Sequence, residues 1–210
     1  MNSDVNTSRW NGANRTVRLA VVSLVGLAIG ALTSFLQTHL DSPWSSLVNS
    51  VTPWLLAAFV VGALSNGLGR AVKYGFLVTF LELVGYTITA PLRDYPPGLA
   101  ITLFWALAAF VGGPVFGWAG MLWATGSAGR NALGAAVLAG AFLAEGTVAY
   151  AIHLGYAQSA VLFWSLGVAT VLILGLAKKN LKSATVWLAV TLPVGMLAEV
   201  LLGLVYNQKY

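Results

Sequence analysis

The chain has 210 residues, is 58% hydrophobic and only 8% charged, a composition far too apolar for a soluble domain of this size. Its formal net charge of +5 does not point to nucleic acid, because the basic residues fall between apolar stretches and not in one patch. The absence of cysteine excludes disulfides, thiol catalysis and cysteine-ligated metals.

Membrane spans of about twenty apolar residues explain such a composition. Residues 1–16 read as a polar cytoplasmic N-terminus carrying Arg9 and Arg15. The apolar run after them reads as a retained helix, since no small-residue cleavage site follows it. Residues 17–210 then form a single transmembrane domain. Seven spans are expected, over 17–36, 51–68, 72–92, 98–124, 131–153, 157–177 and 184–206. The breaks between them are polar or carry turn residues, such as Asp41-Ser42-Pro43, Asn66-Gly67, Pro96-Pro97 and Lys178-Lys179-Asn180.

The first span holds a GxxxG pair, Gly26 and Gly30, suited to close helix packing. The loop from Gln37 to Thr52 is the longest outer connection. A short interfacial helix is expected over 43–50, with Ser42 as cap, Pro43 at its first position and Trp44 as an interfacial anchor. Gly112-Gly113-Pro114 lies near the middle of the fourth span and predicts a kink or a broken helix there. Gly113, Gly117 and Gly120 supply a second small-residue face.

Charge sets the orientation. With the N-terminus inside, Arg9, Arg15, Arg18, Arg70, Lys73, Arg130, Lys178, Lys179 and Lys182 lie inside, and only Arg93 and Lys209 lie outside. The excess of basic residues on one side supports seven spans with the C-terminus out.

An internal repeat is also visible. Trp54 to Gly62 (WLLAAFVVG) and Trp105 to Gly113 (WALAAFVGG) are identical at seven of nine positions. Leu162-Phe163-Trp164 echoes Leu103-Phe104-Trp105, and Leu143-Ala144-Glu145 matches Leu197-Ala198-Glu199. A tyrosine follows each acid, at Tyr86, Tyr150 and Tyr206. The fold class expected is therefore an all-α membrane protein: one leading helix and three parallel helical hairpins, over 51–92, 98–153 and 157–206.

Glu82, Glu145 and Glu199 are the only acids within these apolar stretches. A carboxylate at the bilayer centre costs roughly 2.5–3.5 kcal/mol on insertion scales. Each must be held protonated, face a polar cavity, or meet a cation. The repeat puts all three roughly 10–15 Å below the outer surface. An outward-facing pocket is expected in which Glu82, Glu145 and Glu199 bind charge while Trp54, Trp105, Trp164 and Tyr86 wall the site. Carboxylates with aromatic faces suit a small organic cation. Such buried acids could also couple transport to protons, with His153 near an outer helix end. A metal site is less well supported, because no histidine or aspartate clusters with the glutamates. The other readings left open are a structural or regulatory membrane partner, with protonated glutamates as interhelical links, and a lipid-modifying enzyme. The sequence contains no HExxH, GxSxG or nucleotide loop. No catalytic residue and no cofactor follows. The lipid bilayer is an implied partner, and the first helix could cover the bundle or mediate self-association or contact with another membrane subunit.

Residues 42–56 (SPWSSLVNSVTPWLL), with Gly113-Pro114-Val115-Phe116-Gly117 and Leu143-Ala144-Glu145-Gly146, resemble a family of small bacterial integral membrane proteins of unknown function. The resemblance covers nearly the whole chain. It implies the bacterial cytoplasmic membrane and no assigned activity. In size and apolarity the chain is also similar to the substrate-binding subunits of energy-coupling-factor transporters, which bind ligands in an outward pocket. Its seven expected spans, outer C-terminus and triplication depart from that pattern.

Overall fold

The structure, a computed structural model, describes residues 15–207, with side chains to residue 204. Arg9, Lys209, residues 1–14 and the Tyr206 side chain lie outside this account. All regular elements among the described residues are helices. They are α1 (Arg15–Leu36), α2 (Ser45–Val48), α3 (Val51–Ala63), α4 (Leu68–Thr89), α5 (Leu99–Thr125), α6 (Ala128–Glu145), α7 (Ala157–Ala177) and α8 (Leu181–Asn207). A 3₁₀ turn, Ala90–Arg93, prolongs α4, and a π-helix, Gly146–His153, prolongs α6. Counted with these extensions, six helices are long and apolar enough to cross a membrane: α1, α4, α5, α6, α7 and α8.

Helix α3 is the exception. The stretch expected to cross as a full span over 51–68 forms 13 residues of helix, about 20 Å against a hydrocarbon core of about 30 Å. Extended backbone at Ser50 sets its start at Val51 (φ −120°, ψ 152°), as expected, and the shortening is at the other end. It ends before Gly67, whose φ of 104° suits only glycine. The interfacial helix expected over 43–50 is shorter too. Asp41 and Pro43 carbonyls accept turn bonds from the Ser45 and Ser46 amides, and only the single turn α2 follows, with Trp44, not Ser42, at its cap position.

Helix α5 runs unbroken through Pro114 from Leu99 to Thr125, so the expected break is absent. The proline removes the donor for the Phe110 carbonyl. The neighbouring carbonyl, Ala109, accepts a bond from Thr79 Oγ1 of α4 at 3.3 Å.

Glycines set how the helices lie. A Cβ at Gly30 would fall 1.9 Å from the Glu82 carbonyl oxygen, and one at Gly26 would fall 2.6 Å from that of Val78, so α1 packs directly on α4 and parallel to it. Gly112 meets Leu55, and Gly62 meets Gly117, which lays α3 along α5 in the same direction. Gly75 of α4 faces Gly113 and Gly117 of α5 in antiparallel contact. In the other half, Gly167 of α7 packs on Leu143 antiparallel to α6. Thr191 of α8 donates to the Ala136 carbonyl at 3.0 Å, and Gly195 meets Ala144, so α8 runs parallel to α6. A core of Val22, Leu55, Phe59, Val78, Phe116, Leu138, Phe142 and Phe163 joins the halves.

Candidate functional site

Thr79, Glu82 and Tyr86 lie at i−3, i and i+4 on α4 and share one helix face. Thr79 turns to α5 through its bond to the Ala109 carbonyl. The Tyr86 ring lies 6.0 Å from that of Trp54 on α3, and Trp54 lies 5.6 Å from Trp105 on α5. By helical spacing Glu82 lies between these two contacts along the same face of α4. It is 0% exposed. Among the described residues no group hydrogen-bonds to either of its oxygens, and the buried Trp54 Nε1 lacks an acceptor as well. Val51, Trp54, Leu55, Trp105, Ala108 and Ala109 line a recess here, with room for little more than a water molecule.

Glu145 is placed differently. It is nearly fully buried and accepts hydrogen bonds from the Val51 and Thr52 amides, both at 3.0 Å. These are two of the orphan donors in the first turn of α3. Pro53, next in that turn, has no amide hydrogen to satisfy. The carboxylate thus caps α3 from another helix, where the dipole favours negative charge. Tyr150, one π-turn further on, donates to the Ser46 carbonyl at 3.0 Å and is hydrogen-bonded to the Ser50 hydroxyl. Ser46 and Ser159 hydroxyls meet at 2.6 Å. The segment Gln37–Thr52 is therefore fastened to α6, the π-helix and α7. The π-helix itself begins at the residue after Glu145, and such windings concentrate where helices serve a site.

The same segment is tied to α1 and α4 through Gln37. Gln37 Nε2 donates to the Val48 carbonyl (3.3 Å) and to Asn49 Oδ1 (2.6 Å). Its Oε1 accepts from Tyr86 OH at 2.8 Å and from Arg93 Nη2. Arg93 Nε also donates to Ser34 Oγ at 2.9 Å. The guanidinium lies 5.9 Å from the Tyr86 ring centroid and 5.3 Å from that of Tyr95.

Three of the seven expected site residues meet, Tyr86, Trp54 and Trp105, and Glu82 lies one turn before Tyr86 on α4. Glu145 stands behind them at the start of α3. Glu199 is half-buried on α8, outside that group. Trp164 is set apart. Helix α7 packs on α6, the π-helix and α8, and the indole Nε1 donates to Thr147 Oγ1 at 3.0 Å. Among the described residues no three acidic or histidine side chains converge as a metal site would require.

A family model described as a family of unknown function, DUF6518, matches residues 10–208. The chain belongs to this family. No curated protein and no solved structure matches it. Within this DUF6518 chain, sequence reasoning passed over Gln37, Ser46, Ser50, Ser159 and the bonding of Arg93. Their one available signal was the run of small hydroxyl residues in 42–52, polar side chains beside spans that offer few other partners.

Proposed function

We propose that this DUF6518 chain is a membrane protein that binds a small organic cation at Glu82 and carries it through the bundle. The observation that supports this most is a fully buried carboxylate with no donor among the described residues, one turn before Tyr86, whose ring meets Trp54 and, through it, Trp105. Leaving a buried acid without partners costs stability, and proteins retain such groups for function more readily than for folding. The carboxylate supplies the charge, and each indole face adds about 0.5–2 kcal/mol of cation–π attraction. Glu145 takes the other reading, an interhelical link, which its two amide bonds support.

The membrane arrangement follows in the same proposal. Counting α3 as a short seventh pass, the chain starts inside and ends outside the bacterial cytoplasmic membrane. The alternating helix directions support this, as does the gathering of Arg15, Arg18, Arg70, Lys73, Arg130, Lys178, Lys179 and Lys182 near the helix ends opposite the 37–50 loop. The contact of Trp54 with Trp105 is what a hairpin repeat would give.

Uptake of labelled tetramethylammonium into proteoliposomes tests the function. Uptake above empty vesicles that is lost in Glu82→Gln is the expected result. Uptake equal in the wild type and in a folded Glu82→Gln variant would refute it.

A further inference from the structure

Glu82 is fully buried, so a cation can reach the carboxylate only if a neighbouring helix moves. The recess over its face of α4 is lined by α3 and α5. Helices α4 and α5 are locked together by glycine contacts along their length and both are long enough to cross a membrane. Helix α3 is a single short helix, and its start is held by side chains, not by a continuing helix. Those side chains are Glu145 at the Val51 and Thr52 amides, Tyr150 at Ser46 and Ser50, and Ser159 at Ser46. Trp54 lies one turn beyond the capped amides, so displacement of the first turn of α3 carries Trp54 with it.

We propose that Glu145 is a positioning residue for the Glu82 site. By capping α3 it holds Trp54 over the recess, and release of that cap is the step that opens the site from the end where residues 37–50 lie. The segment Gln37–Thr52 is then a gate with two attachments. Gln37 is the fixed one, tied to Arg93, Tyr86 and Asn49. Glu145 and the hydroxyls of Ser46, Ser50, Tyr150 and Ser159 form the latch. This inference rests on the reading of Glu82 as the binding site.

The chain has no cysteine, so a single introduced thiol reports on access. Ala109 lines the recess and is 5% exposed. The measurement is the rate at which a membrane-impermeant methanethiosulfonate reagent labels Ala109→Cys in lipid vesicles. Adding Glu145→Ala should raise that rate at least about tenfold, because hydrogen bonds to a charged acceptor shift an opening equilibrium by that much or more. Glu145→Gln, which keeps one acceptor oxygen, should fall between. A general loosening of the fold would also expose Ala90, fully buried at the start of the 3₁₀ turn after α4, whereas release of the latch alone would not. An Ala90→Cys thiol should therefore label at an unchanged rate in the Glu145→Ala background. Should Glu145→Ala fail to fold, Ser50→Ala with Ser159→Ala removes two of the latch hydroxyls and should accelerate labelling of Ala109→Cys in the same direction. Unchanged labelling of Ala109→Cys in the folded variants, or equal acceleration at position 90, would overturn the gate. Cation binding is scored separately by Glu82→Gln, so failure of the gate and failure of the ligand reading appear in different measurements.

Discussion

Glu82 and Glu145 have the same side chain and opposite surroundings, and substitution should separate them. Glu82→Gln removes charge from a group that nothing among the described residues bonds, so folding stability in detergent should hold or rise. Glu145→Ala strands two buried amides, each costing about 1–3 kcal/mol. A loss of roughly 2–6 kcal/mol in chemical unfolding is expected, with Glu145→Gln losing about half of it. Equal stability losses at the two positions would contradict these assignments. At the aromatic wall, Trp54→Ala and Trp105→Ala should each weaken tetramethylammonium binding by about 2- to 30-fold. Trp164→Ala should leave it unchanged, because its indole is bonded to Thr147 in the other half. Equilibrium dialysis with labelled cation measures all three.

Between elements, the glycine contacts allow sharper tests than the apolar side chains do. A Cβ at Gly62 would fall 2.0 Å from the Gly117 carbonyl oxygen, a backbone atom that cannot step aside. Gly62→Ala should therefore force α3 from α5 and cost about 1–3 kcal/mol, as overpacked sites do. Gly69→Ala, in the first turn of α4 with nothing within 4 Å, should be neutral or gain up to about 1 kcal/mol from helix propensity. Thermal unfolding of the pair gives the comparison. These interfaces were legible in the sequence: Gly26 with Gly30, and Gly113 with Gly117, mark faces where backbones meet. The shortness of α3 was not. Its residues are as apolar as those of α5, with which it shares seven of nine positions. Its end lies before Gly67, and the cap on its start is Glu145, 94 residues away. The division of the glutamates was hidden for a related reason. Residue counts along a span give depth, but the rotation of a helix that is apolar on every side leaves no periodic mark. Trp54 and Trp105 were legible as a pair because the repeat marked them. The separation of Trp164 depends on which side of α6 receives α7.

For the whole molecule, the account requires an odd number of passes, with the short α3 returning the chain between α1 and α4. Lys178 donates to the Ala124 carbonyl at 2.9 Å and Asn180 to the Ala128 carbonyl at 3.0 Å. The α5–α6 and α7–α8 turns therefore share one end, opposite the 37–50 loop. A reporter enzyme active only outside the cytoplasm, fused after residue 210, should be active, and the same reporter fused at the Lys178–Asn180 turn should be silent. An inactive C-terminal fusion would reduce α3 to a re-entrant segment and reverse the orientation of the later helices.

The central claim is that Glu82 and its aromatic neighbours form a cation site. Its most direct test is the thermal stability of the detergent-purified protein, wild type and Glu82→Gln, titrated with tetramethylammonium. A ligand at a hundred times its dissociation constant stabilises by about 2.7 kcal/mol. The account predicts a concentration-dependent rise in melting temperature in the wild type and none in a folded Glu82→Gln variant. The same rise in both proteins, or none in the wild type, would contradict it.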